Sequence, residues 1–440
     1  MPRLKVLILS YLPFRHPIDG LLDSPLMQTL QVYSEAFEVF LVVRVKNETD
    51  ACLLRDTIRD RYLHVIVYPV VEKVYWEPKL RRRDYSLLLW LRGIIHLIRV
   101  MIRTRKMVWI YSAQFFFCGS HLFEKVLRGI FFEISPDLIY FQDTFCFTHF
   151  DVIPRKTPRI LYYGESLSGG IYWSGDVQKK IRTKLALWKA KKWEQLIFRN
   201  IDMGIVFSLK DKEWLQRHVL AEPPDILISH VGIDHEYFSA TSDNVEKASV
   251  MCLGKMHADH NVSGVKIIAT EILPKVRKTV PHLKFFVVGM DPTPDVSRLS
   301  QDPLNVVTGY VEDLRPYFTR AAIFLNWSKI RIGIRSRILL AMSMGKAVIT
   351  TSEGLWGIEG AVDGRNVLVA NDVDQFADKI IMMIHNKKMR EDLGSAARQL
   401  IIEQYSLARW KSEFMRASWK LLKDKSFDNN RSIHDGDGGN

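Results

Sequence analysis

Residues 321–354 read AAIFLNWSKIRIGIRSRILLAMSMGKAVITTSEG, and their pattern decides the fold. AAIFLNW and KAVITTS are short apolar runs that stop abruptly at polar or turn residues, as buried parallel strands do. SRILLAMSMG between them reads as a core helix, so the stretch is one strand, helix, strand unit. Gly333, Ile334 and Arg335 stand immediately before that helix.

The same pattern extends on both sides. ASVMCLG, KFFVVGM, NVVTGY and NVLVAND complete a series between residues 248 and 372. LKVLILS, FEVFLVV, HVIVYPV, DLIYFQD, RILYYGE and MGIVFSL form an earlier series from residue 4 to 209. The polar stretch ATSDNVEKA at 240–248 separates them and reads as a hinge. The expected class is α/β, with two Rossmann-like doubly wound domains facing each other across a cleft where ligand binds. Their expected bounds are 1–240 and 247–405. A helix over 406–424 follows, with Trp410, Phe414, Trp419 and Leu422 as its buried face, crossing back to the first domain. The polar tail 425–440 is expected to be disordered.

A chain of 440 residues fits two domains of about 200 residues each. Lysine and arginine number 62 against 49 acids, a net charge of +13 that favours anionic partners. Nucleic acid is not an expected partner, because the basic residues are dispersed and no aromatic-basic module appears. Cys52, Cys118, Cys146 and Cys252 show no metal or redox spacing, and the histidines form no ligand pair with a supporting acid, so neither disulfide nor metal is expected. The N-terminal MPRLKVLILSYLPF reads as a first strand, not a signal peptide. Sequons at Asn47, Asn261 and Asn326 read as chance matches. The expected location is cytoplasmic, with the inner face of the membrane as a docking place.

Residues 81–106, RRRDYSLLLWLRGIIHLIRVMIRTRK, carry Arg92, His96, Arg99, Arg103 and Lys106 as a basic stripe on an otherwise apolar helix. The arginines recur too often for a membrane span. Two readings stay open: a half-buried helix covering a sheet, or a peripheral contact with anionic membrane aided by Arg81 to Arg83.

Several further segments, in order, carry a resemblance. They are DMGIVFSLKDKEWL, HVGIDHEYF, VMCLGKMHADHNVSGV, EILPKVRKTVPHLKFFVVGMDP, VVTGYVEDLRPYF, IRIGIRSRILLAMSMGKAVITTSEGLWGIEG and RQLIIEQYSLARW. Over 202 to about 407 the chain resembles the retaining group 1 glycosyltransferases of the family 4 type, which have the GT-B fold, and in particular their bacterial polysaccharide-assembly branch. LSYLPFRHPIDG, SPDLIYFQD, RILYYGESLSGGIYW and KKWEQLIFRNID carry a looser likeness in the first half.

The resemblance implies transfer of a sugar from a nucleotide-sugar donor to a glycan, lipid-linked or small-molecule acceptor, with retention and without metal or other cofactor. A donor diphosphate needs backbone N–H groups, a helix N-terminus and positive charge. Gly333, Ile334, Arg335 and Arg337 match that need, although the local sequence alone reads equally as an ordinary glycine turn. The family places Lys255 toward the donor phosphates, Asn261 where many members have a second basic residue, and Gly309 and Val311 at the base. Asp313 is expected to cap the following helix. In the first half, Asp19 and Gly20 fall in the loop after the first strand, Asp19 on the acceptor side and Gly20 toward the donor. Glu165, Ser166, Tyr172 and Trp173 are placed on the acceptor side. The implied catalytic groups are Glu165, steering the acceptor hydroxyl, and Lys255 with Arg335, stabilising the leaving diphosphate.

The family's paired carboxylates, the second of which holds the donor ribose, fall here on Ile332 and Leu340. A leucine accepts no hydrogen bond. Either Glu353 or Glu359 takes over that contact, or the protein is a non-catalytic relative that binds a nucleotide sugar or serves in a glycan-assembly complex.

Overall fold

The computed structural model describes residues 3–10, 25–45, 47–62, 64–71, 121–144, 150, 153–173, 181–229, 232–239, 245–331 and 333–434. The basic run 81–106 and the residues Asp19, Gly20 and Ile332 lie outside these.

The chain divides into two compact units, Met1–Ser229 with Ser412–Asn440, and His230–Lys411. The chain therefore passes from one unit to the other at residue 229, before the polar stretch expected to be the hinge.

The first unit holds a sheet in the order β3-β2-β1-β4-β5-β6-β7, and every adjacent pair is parallel. Its strands are β1 Lys5–Ser10, β2 Glu38–Val45, β3 Val65–Val71, β4 Leu138–Phe141, β5 Arg159–Gly164, β6 Met203–Val206 and β7 Asp225–Ile228. The expected runs account for β1 to β6. β7 is an addition at the sheet edge: DILI is short, opens on an acid and follows Pro223 and Pro224, so it lacks the long apolar signature of the others.

The second unit holds a parallel sheet in the order β10-β9-β8-β11-β12-β13. Its strands are β8 Ser249–Leu253, β9 Lys284–Val288, β10 Asn305–Gly309, β11 Ile323–Asn326, β12 Ala347–Thr350 and β13 Leu368–Val369. Strand order reverses between β8 and β11. In open α/β sheets ligands bind outside the strand C-termini at such a reversal, because the connecting loops diverge there and leave a crevice.

The helix Leu407–His434 starts in the second unit and belongs to the first from Ser412 onward. It runs past residue 424, through ten positions of the stretch expected to be disordered. Its buried face is Trp410, Phe414, Ser418 and Leu421, whereas Trp419 is 38% exposed and Leu422 only half-buried. The expected face was therefore out of phase after Phe414. Apolarity suggested Trp419, but Ser418 points inward because its hydroxyl lies 3.0 Å from that of Tyr33. The Phe414 ring packs 5.0 Å from Tyr33 and 5.8 Å from Tyr140, tying the helix to the core of the first unit.

All three sequon asparagines have structural roles. Asn47 caps the helix Glu48–Arg59, its side chain accepting from the Asp50 N–H at 2.8 Å. Asn261 and Asn326 are buried.

Candidate functional site

The site of the second unit begins where β8 ends. Gly289 has φ +141°, and a Cβ there would lie 1.8 Å from the carbonyl oxygen of Gly254. Only glycine allows the loops after β8 and β9 to touch backbone to backbone. Gly309 continues the contact, its carbonyl accepting from the Gly289 N–H at 3.2 Å.

Asn261, in the first turn of the helix Asp259–Ile267, fixes this loop from below. Its Nδ2 donates to the Lys255 carbonyl at 3.0 Å, and its Oδ1 accepts from Nη1 of Arg337. Arg337 in turn donates through Nε to Oδ1 of Asn326 at 2.7 Å. Asn326 ends β11 and is itself held by β12, since its Nδ2 donates to the Thr350 hydroxyl at 2.9 Å. One guanidinium thus joins the loop after β8, the end of β11 and the helix Ser336–Ser343 across the sheet's reversal point.

Its electrostatics are unusual. Among the described residues no carboxylate pairs with Arg337, and both named partners are neutral amides. Burial, reinforced by the charge of Arg335, pulls its pKa down to about 10 despite the opposing thiol of Cys252. His260 is held below the usual imidazole range by burial and then by the charges of Arg337 and Arg335. A buried cation without a counter-charge favours the arrival of an anion.

The other expected donor residues lie around this network. Lys255 is exposed directly after Gly254. Arg335 stands at the start of the helix Ser336–Ser343 and donates to the Ile330 carbonyl at 3.0 Å. Gly333 has φ +61°, the left-handed turn that lets the chain enter the helix. Ile334, Val311 and Leu340 are part-buried against an apolar cluster containing Ile338, Leu339 and Met342. No acid stands at position 340, and of the two substitutes Glu353 is the nearer to the network. A Cβ on its neighbour Gly354 would lie 2.1 Å from Thr350 Oγ1 and 2.6 Å from Asn326 Nδ2. Burial raises the Glu353 pKa, but hydrogen bonds from its own backbone, Arg331 and Ser352 outweigh this and hold it low. Glu359 is exposed, and its carbonyl accepts from the Tyr405 hydroxyl at 2.9 Å.

Asp313 departs from expectation in detail. The helix begins at Arg315 with Leu314 as the cap, and Asp313 accepts instead from the Arg315 N–H at 2.9 Å while forking with its guanidinium.

In the first unit, Glu165 is exposed after β5, and Tyr172 is 51% exposed with its ring 4.5 Å from Trp214. Trp173 packs against the core, 5.7 Å from the same Trp214. Ser166 does not face outward. It is 0% exposed, donating from N to Asp211 at 2.8 Å and from Oγ to Glu194 at 2.8 Å. A side chain buried this way starts the helix Leu167–Trp173 and leaves no face toward an acceptor, which corrects its expected placement. Glu194 also accepts from the Tyr163 hydroxyl at 2.6 Å and the Ser168 N–H at 3.2 Å, all on Oε1. This node is invisible in sequence, because Glu194 sits in a lysine-rich helix that reads as exposed.

Among the described residues no cluster of three or more His, Cys, Asp or Glu side chains is arranged to hold a metal ion. No helix of the described residues is long and apolar enough to cross a membrane.

Residues 247–386, all within the second unit, match the family of glycosyl transferases group 1. No curated protein matches the sequence. Solved structures resemble the chain over nearly its whole length. Sucrose-phosphate synthase from Thermosynechococcus elongatus has a TM-score of 0.66 at 13% identity, covering 96% of this chain and 100% of its own. TarM, a protein of S. aureus, gives 0.65 at 11%, covering 95% and 98%. Anabaena HepE in complex with UDP gives 0.61 at 12%, covering 95% and 100%. At such identities the likeness establishes the fold, which is that of the GT-B glycosyltransferases. The resemblance read from the segments of the second half thus holds over 247–386.

Proposed function

Proceeding from a group 1 glycosyltransferase match that contains the whole Arg337 network, we propose that the protein transfers a sugar from a nucleotide-sugar donor bound by the second unit. The observation that carries this is Arg337, a buried cation at the reversal point of a parallel sheet, held by the amides of Asn261 and Asn326. The donor diphosphate supplies the missing counter-charge. Arg337, Arg335 and Lys255 take its oxygens together with the N–H groups following Gly333, and the same groups stabilise the diphosphate as it leaves. The base lies along Gly309 and Val311. Glu353 is the candidate for the ribose contact that Leu340 lacks.

The acceptor, a glycan, a lipid-linked sugar or a small molecule, belongs to the first unit, where exposed Glu165 steers the attacking hydroxyl beside Tyr172. The reaction proceeds with retention and without metal or other cofactor. That HepE was solved with UDP and with UDP-glucose supports a uridine nucleotide as the first donor to try.

Leu340 favours one second reading, a protein that binds the nucleotide sugar without turnover. Incubation with UDP-, GDP- and dTDP-sugars and acceptor extracts, following binding and nucleoside diphosphate release together, separates the two. Binding with release supports the transferase, binding without release supports the second reading, and the absence of both binding and release overturns both.

A further inference from the structure

The helix Ile181–Phe198 of the first unit has two unlike faces. Inward it buries Ala190, Trp193, Glu194, Ile197 and Phe198. Outward it leaves Leu185 at 52% and Trp188 at 51% exposure, one turn apart on the same side. Lys184 and Lys192 flank them, both exposed, and Lys189 and Lys191 lie at the margins. The helix's sole acid, Glu194, is 0% exposed, and none of these lysines has a carboxylate partner among the described residues.

We infer that this face is a docking surface for an anionic lipid bilayer. Burying an exposed leucine and tryptophan in the interfacial layer returns the hydrophobic free energy that water denies them. The tryptophan ring is the side chain best suited to headgroup depth. Exposed Lys184 and Lys192, not neutralised by carboxylates, meet the negative surface while their methylene stems lie along the apolar layer. An acidic polysaccharide would use the lysines and the aromatic ring, but it gives no reason for an exposed leucine at the centre of the face. The chain's net charge of +13 favours approach to such a surface. This inference stands apart from the donor site and does not depend on it.

The test uses the full chain and vesicles of phosphatidylcholine alone or mixed equally with phosphatidylglycerol, read by co-sedimentation. Binding is expected only to the anionic vesicles. The double variant Leu185→Ser with Trp188→Ser is expected to lower the partition coefficient at least about tenfold. Removing Lys184 and Lys192 as serines lowers it about fivefold for each lysine. All four positions are on the surface, so unchanged thermal melting of the variants confirms that they fold. Failure of the unaltered chain to bind anionic vesicles overturns the inference. So does binding that both variants keep, which assigns the contact elsewhere, for example to the basic run 81–106, and so does capture by an acidic polysaccharide in preference to vesicles.

Discussion

Nη1 of Arg337 donates to Oδ1 of Asn261 at 2.5 Å, so the position where the resemblance implies a second basic residue is occupied by an amide that holds an arginine from another helix. Under the proposed function Arg337 brings to this position the positive charge that Asn261 does not carry.

If that guanidinium serves the diphosphate, Arg337→Gln weakens nucleoside diphosphate binding by about 10- to 150-fold, the equivalent of about 1.5–3 kcal/mol for hydrogen bonds to a charged group. Asn326→Ala, which removes an anchor and leaves the charge, costs less, about fivefold. Titration calorimetry with UDP, GDP and dTDP measures both. A purely structural arginine would instead show lower thermal stability with unchanged binding.

Leu340→Glu places a carboxylate where, under the proposed function, the donor ribose lies. Affinity for the preferred nucleotide is expected to tighten about tenfold, by one charged hydrogen bond. The half-buried site makes the variant less stable by about 1–2 kcal/mol. Unchanged affinity in a folded variant would mean that the ribose lies away from position 340.

The Lys346 amine is buried at the C-terminal end of the helix Arg315–Arg320 and donates to the carbonyls of Thr319 and Ala321 at 3.3 and 3.1 Å. Burial, and then the charge of Arg390, pushes its pKa from the ordinary lysine value of 10.5 down to about 8. Between these values the unfolded chain holds the proton and the folded one releases it, so stability attributable to this group rises with pH. Relative to Lys346→Met, the unaltered protein should gain up to about 1.4 kcal/mol per pH unit between pH 8 and 10 in urea titrations. The gain ends near pH 10.5, where the unfolded chain's lysine also releases its proton, while the buried tyrosines Tyr33 and Tyr140, whose pKa values burial raises, are common to both proteins and cancel in the comparison. A constant difference between the two proteins over that window would refute the assignment.

Tyr163→Phe leaves the buried Glu194 with one donor fewer. The expected cost is about 1–2 kcal/mol by urea denaturation, with donor binding to the second unit unaltered. A neutral substitution would show that the node tolerates an incomplete carboxylate.

Much of the fold could be read from the sequence because, among the described residues, twelve strands are apolar runs cut off by turn residues, and only β7, short and at an edge, escaped. Lys255, Arg335 and Arg337 were nameable from their segments. Asn326 was not, since an asparagine at a strand end resembles a sequon and its use depends on Thr350 and Arg337, which the sheet brings to it. Ser166 misled for the converse reason: a serine after a strand reads as exposed, and only the positions of Asp211 and Glu194 turn it inward. Side-chain partners contributed by different elements leave no local signature.

The most direct test of the central claim is calorimetric titration of the unaltered protein and Arg337→Gln with UDP, GDP and dTDP. One of the three is predicted to bind the unaltered protein with a dissociation constant at or below about 100 μM, and Arg337→Gln to lose at least about tenfold of that affinity while folding normally. Equal binding by the two proteins, or no binding of any of the three to the unaltered chain, would contradict the account.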